Sequence, residues 1–375
     1  MLPTGSLTPI LLGVTLFILG AGVVHAASSQ SPTEEQWHTL NNAIIKQHVL
    51  PRYQRLTDDS TVMSQQLARL CAAPSSDNLN AAQTSFKATQ TSWQGVQHIQ
   101  FGPVTMLMRN HSLQYWPDKK NTGAKQLKSI LKTTDQAFDG EFFRSASISL
   151  KGFPALERLL FAKNKRIQNS KAVECSLAAA IAQHIHETSL AIQSEWAEEA
   201  RQILLAGQEA LPGSKQAAAY QAYETSSEAA TEFMKSLVEP VEAIRDNKLL
   251  KPLATSAEES RWKKSESWRS EQSLNNIQQN LAALHELYSG TQPISVKTLL
   301  EAADDKKNAQ AIEAGFNLIN EELKSVPAVT QLNVTPETHK TLMHTSDQLK
   351  ALQGKLATAM QTLNIQLGFN SRDGD

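Results

Sequence analysis

The chain has 375 residues, 36 of them basic and 37 acidic, for a net charge of −1. That balance offers no field for nucleic acid or an anionic membrane surface, and the length exceeds what one compact core holds, so two domains are expected. Glycine and proline are sparse, at 16 and 14, which favours an all-α protein.

Ile10 to Val24 is a single apolar run of about 15 residues, short for a membrane span and suited to the core of a signal peptide. Val24-His25-Ala26 follows with small residues where a signal peptidase reads. Residues 1–26 are therefore expected to be a signal peptide cleaved near Ala26, leaving an exported chain with no membrane span. Met1 to Pro9 holds no Lys or Arg, so an uncleaved anchor stays as the alternative.

Ser31-Pro32-Thr33-Glu34 reads as a capping box that opens a helix running to about Cys71, bent where Pro51 removes a hydrogen bond. A second helix from about Asn78 to Gln97 carries Phe86, Trp93 and Val96 on one side. Residues 101–118 lack periodicity but are rich in aromatics, so they are expected to pack on the protein as an irregular segment. Short helices near 125–131 and 135–143 lead to Ser147–Phe161, SISLKGFPALERLLF. Apolar side chains there cover nearly every side of a helix, with Glu157 and Arg158 its only polar residues after Pro154. Such a helix is buried, and a buried carboxylate needs a partner. Glu157 is thus either a structural acid paired with an arginine or a binding acid. Arg109 and Arg269 are the natural partners for Glu157 or Asp118.

Ser170 to about Leu205 keeps the three-and-four spacing of a bundle core through Ala178, Ile181, Ile185, Ile192, Trp196 and Ile203. Gly207 to Ser214 then supplies the internal boundary, giving bundles over 27–208 and 213–375. Helices are expected over 215–246 and 265–288, with a break at Pro252 and an exposed loop over 254–264. Thr335-Pro336 opens a last helix with a seam of Leu342, Leu349, Leu352, Leu356, Met360, Leu363 and Leu367, ending at Gly368. Cys71 and Cys175, the two cysteines of the chain, are expected to be bonded in an oxidising compartment, two separately buried thiols being the alternative.

Phe101-Gly102-Pro103, Tyr115-Trp116-Pro117-Asp118, Gly152-Phe153-Pro154-Ala155-Leu156-Glu157, Glu266-Ser267-Trp268-Arg269-Ser270 and Gly368-Phe369-Asn370 with Asp373-Gly374-Asp375 are spread in order across the mature chain. With them the chain resembles the imelysin family, in its iron-regulated periplasmic branch. The resemblance implies two packed helical bundles, a periplasmic location, a link to iron or haem acquisition through an iron-uptake or envelope partner, and a site near the bundle junction. Glu157, Asp118, Trp116, Arg109, Arg269, Ser270 and Asp373 form the candidate ligand-binding set. The family signature Gly-x-His-x-x-Glu, once taken as the mark of a metallopeptidase, meets Pro154 in place of its histidine here. A His–Glu metal pair cannot form, so neither a metal site nor a catalytic residue is assigned.

Other chemistry is weakly signalled. His-Glu-x-x-His, a nucleophile elbow, a phosphate-binding loop and a dinucleotide fingerprint are absent from the sequence. His184 and Glu187 share a helix face but supply two ligands at most, and His98, His111, His285, His339 and His344 show no convincing ligand spacing. Tyr115, Trp116 and Trp268 suit core packing or a cofactor-stacking box. The preferred reading is an exported, non-catalytic helical binding protein. A metal-dependent peptidase and a structural envelope-interaction protein stand as alternatives.

Overall fold

The structure is a computed structural model, and it describes residue 1 and residues 31–132, 136–163, 166–168, 173–207, 222–327, 329 and 334–368. The expected signal peptide and Asp373 lie outside the described residues. Among those residues the fold is all-α, with no strand, and no helix is long and apolar enough to cross a membrane.

The first half contains α1 (Glu34–Ile44), α2 (Leu50–Ala72), α3 (Ser76–Gln94), α4 (Arg109–Leu113), α5 (Thr122–Ile130), α6 (Gly140–Ser145), α7 (Phe153–Leu160) and α8 (Val173–Leu205). The second contains α9 (Ser226–Ala243), α10 (Lys251–Leu253), α11 (Ser273–Ser289), α12 (Val296–Ala302), α13 (Lys306–Ser325) and α14 (Pro336–Thr362). One bundle packs α2 against α3 and α8, with α7 laid over α3 and α8. The other packs α9 against α1 and α14, and α13 against α11, α12 and α14. The contact of α11 with α3 ties the two together, and a continuous apolar core runs from Trp37 to Ile365.

The apolar seams expected of α8 and α14 are buried, from Ile181 to Ile203 and from Leu342 to Leu363. Cys71 and Cys175 are disulfide-bonded, with Cα atoms 5.6 Å apart, which staples the end of α2 to the start of α8. In the chain-entropy picture a loop of that length is worth about 4–5 kcal/mol.

Several expectations shift. The opening capping box is Thr33 with Gln36 rather than one starting at Ser31. Glu34 instead reaches across to accept a hydrogen bond from the Ser226 N–H at 2.6 Å, capping α9. The bend near Pro51 is a π-helical turn, Ile45–Val49, with Pro51 in the first turn of α2. A second such turn, Ile244–Leu250, follows α9, and Pro252 opens the short α10 after it. Ala43-Ile44 precedes the first turn and Ala243 the second, and His48 and Lys248 are buried within them.

The first described helix after the expected boundary is α9, because Thr225 caps it through the Glu228 N–H. Within 254–264 Trp262 is buried rather than exposed. In the irregular segment Phe101, Val104 and Leu113 pack inward, yet Met106, Leu107 and Met108 face solvent. The last helix ends at Thr362, ahead of Gly368.

Residues 265–272 are the largest departure. They form a turn-rich loop ahead of α11, not its first two turns, and Ser267 and Glu271 adopt positive φ values of 55° and 60°. The physical reason lies in the contacts this loop makes.

Candidate functional site

The loop carries two buried polar anchors. Glu266 is 2.8 Å from the Lys248 ammonium, with both side chains nearly enclosed. Gln114 donates to Glu266 Oε1 at 2.9 Å and Asn276 to its Oε2 at 3.1 Å. Lys248 also donates to the side-chain oxygens of Gln94, at 2.8 Å, and Asn280, at 2.6 Å. Ser267 Oγ accepts from Gln90 and from Asn276. Continuing the α11 helix backward would break these bonds, so the left-handed residues persist because their surroundings over-determine them.

The second anchor is Glu157. It sits on α7, whose first turn contains Pro154, and only 4% of it is exposed. Its Oε1 accepts from the Ser270 N–H at 2.9 Å and from the Ser270 hydroxyl at 2.8 Å. The Arg269 guanidinium stands 3.8 Å from Oε2. Burial pushes the Glu157 carboxyl above its ordinary range, with the Ser270 donors and Arg269 pulling the other way. The same burial lowers Arg269 to about 10, helped by the positive charge of Arg158. Arg269 also lies over the Trp268 ring, 4.2 Å from its centroid.

Facing this pair is the segment Gln114–Asp118, which contains a cis bond between Trp116 and Pro117. Asp118 turns back to accept the Thr122 and Gly123 N–H groups at 2.7 and 2.8 Å, capping α5. Glu157, Pro154, Asp118, Trp116, Trp268 and Arg269 all line one cavity of about 530 Å³. A second cavity, of about 470 Å³, shares Gln114, Trp116, Pro117 and Asn247 with it, so the Gln114–Pro117 segment is a partition between the two. Tyr115, Trp116 and Trp268 are half-buried cavity walls rather than core residues.

Of the expected set, Glu157, Asp118, Trp116 and Arg269 therefore meet at one cavity, and Ser270 holds Glu157 from behind. Arg109 does not join them. It forms a two-pronged pair with Glu195 of α8, at 2.6 and 2.7 Å, because α4 turns its side chain toward that helix. His184 stacks on Phe143 at 4.5 Å between ring centroids, and Glu187 accepts from Gln183.

Sequence reading missed Lys248, whose only local signal is its place in the second π-turn. It also missed the bond between His48 and His98, 2.8 Å apart across 50 residues. Among the described residues no group of three or more His, Cys, Asp or Glu is placed to hold a metal ion. Around Glu157 in particular, Pro154 offers no ligand atom and Oε1 is already shared by two donors, so these residues do not fit a metal.

Comparison with known proteins places this geometry in a family. Residues 49–356 match the family described as imelysin. The chain is 22% identical over 363 residues to iron-regulated protein A of Synechococcus elongatus, covering 93% of this chain and 92% of that protein. An imelysin-like protein from Psychrobacter arcticum superposes with a TM-score of 0.72 at 18% identity, covering 90% of this chain and 98% of the other. A candidate iron-regulated protein A precursor from Parabacteroides distasonis gives 0.63 at 16% identity, covering 90% and 97%. At these identities the two structures speak to the fold alone.

Proposed function

Because the chain belongs to the imelysin family, we propose that it is an exported, non-catalytic binding protein that serves iron or haem acquisition and takes its ligand in the cavity over Glu157. The observation that carries the reading is the buried carboxylate itself. Glu157 is an acid whose ionisation burial disfavours, at the wall of a cavity between the two bundles, where the motif's histidine is replaced by Pro154. Perturbed acids in clefts cluster at binding sites, and ligand pockets favour such junctions. The names of the Synechococcus and Parabacteroides proteins support the iron link. The apolar run Ile10–Val24 and the word precursor in the latter name support export to the periplasm, with residues 1–26 removed. On this reading the two bundles, expected over 27–208 and 213–375 but with α1 packed on α9, are the two halves of the binding cleft.

The test compares the untagged chain with Glu157→Gln, titrated with haem and with ferric chelates while the fluorescence of Trp116 and Trp268 is followed. The expected result is saturable quenching by the parent that weakens in the variant. Burial raises the folded carboxyl above its unfolded value, so ionising it costs the fold stability that an uncharged amide does not cost. The amide should then melt at the same temperature or higher. Unchanged binding with a lower melting temperature would make Glu157 structural. Metal-dependent peptide hydrolysis abolished by Glu157→Gln would make the protein an enzyme.

A further inference from the structure

Six cations line the cavity over Glu157: Lys119, Arg158, Lys251, Lys263, Lys264 and Arg269. Two carboxylates oppose them, and both are engaged. Asp118 takes the N–H groups that open α5, and Glu157 takes Ser270. The chain as a whole is close to neutral, at −1, so this concentration of positive charge is local to the cavity. Among the described residues the two guanidiniums have weak partners. Arg158 is half-exposed and, among the described residues, its side chain donates to the Asn121 carboxamide oxygen at 3.3 Å. Arg269 meets Glu157 at 3.8 Å, beyond hydrogen-bond length. Arg158 is close enough to disfavour the charge on Arg269. Like charges gathered in a cleft, with low-dielectric walls and fewer acids than cations, raise the local concentration of the opposite charge. The walls supplied by Tyr115, Trp116 and Trp268 add flat unsaturated surface at the same place.

Resting on the binding role proposed above, we infer that the cavity takes an anionic chelate, carried by carboxylate or catecholate oxygens, rather than a bare metal cation or a neutral or cationic complex. Arg158 and Arg269 are its guanidinium clamp, whose planar donors suit such oxygens. Lys263 and Lys264 stand exposed at the rim and draw the anion in. A cavity of about 530 Å³ is of the size that holds a small-molecule ligand.

The full chain and Arg158→Gln, which removes one guanidinium without touching Glu157, are titrated by calorimetry. The probes are ferric citrate, a ferric tris-catecholate, the two metal-free chelators, and a cationic ferric trihydroxamate. The anionic ferric chelates should bind, more weakly as salt is raised, and the variant should lose about ten- to a hundredfold in affinity. The cationic complex should not bind. Equal binding of the trihydroxamate, or an Arg158→Gln variant of parental affinity, overturns the anionic clamp while leaving an iron-binding role standing. Metal-free chelators binding as tightly as their ferric forms sustain the clamp and overturn the iron role. Binding of none of the probes overturns both.

Discussion

Gly152 precedes α7 with φ −126° and ψ −164°, extended backbone that any residue adopts, so conformational freedom is not what this position requires. A β-carbon there would stand 2.2 Å from the carbonyl oxygens of both Ser112 and Leu113. Backbone cannot yield as a flexible side chain does, so the glycine exists to let the end of α4 touch the start of α7. That contact sets how far the Gln114–Asp118 wall lies from Glu157. Gly152→Ala should therefore cost about 3 kcal/mol by overpacking, read as a lower urea midpoint at unchanged slope. A fully stable alanine variant would show that α4 and α7 are not in this contact. Gly102 is the contrasting case, with a φ of +65°, where conformation rather than space calls for glycine. Both glycines are visible in the sequence, but the reasons for them are not. Nothing in a one-dimensional pattern says which carbonyl will approach which α-carbon.

At the scale of elements, long helices were the legible part. The three-and-four spacing of Ile181, Ile185, Ile192, Trp196 and Ile203 predicts a buried seam, and α8 has one. The two π-turns escape such reading because a single extra residue per turn leaves hydrophobic periodicity almost intact. Residues 265–272 escape it for a different reason. SESWRSEQ holds neither glycine nor proline, and its loop conformation is imposed from outside by Glu157, Gln90, Gln114 and Lys248. Lys248 carries much of that work. Burial depresses its ammonium pKa, Glu266 opposes the depression, and each would be a lone buried charge without the other. Lys248→Met should cost about 3–5 kcal/mol by leaving Glu266 uncompensated, while adding Glu266→Gln should restore most of the loss. A denaturant double-mutant cycle measures this directly. Single and double variants that simply add would mean the pair does not hold the loop.

For the whole molecule, the two-bundle architecture follows from composition and seams, but what fastens the bundles is built from residues far apart in sequence. His48 of the first π-turn and His98 beyond α3 are bonded at 2.8 Å. Arg52 of α2 faces them, donating to His48 Nδ1 and to the Gly95 carbonyl, and also pairs with Glu286 of α11 at 2.7 Å. The cluster thus spans α2, α3 and α11, where the bundles meet. Burial lowers His48 to about 4 and His98 well below its ordinary value. His184, against Phe143, is likewise lowered to about 4. The fold holds these rings neutral, whereas the unfolded chain protonates them below about 6.5. Their contribution is therefore intact above pH 6.5 and is lost as pH falls toward 4, by about 3 kcal/mol for His48 alone. Glu286, held below the carboxylate range first by His48, adds its own loss only at lower pH. Melting temperatures taken from pH 8 to 4 should hold level to about 6.5 and then fall. His48→Gln should flatten the decline between 6.5 and 4.5, leaving the more acidic limb in place. A parent flat across that window would mean the histidines titrate normally, and that the junction is wetter than its packing requires.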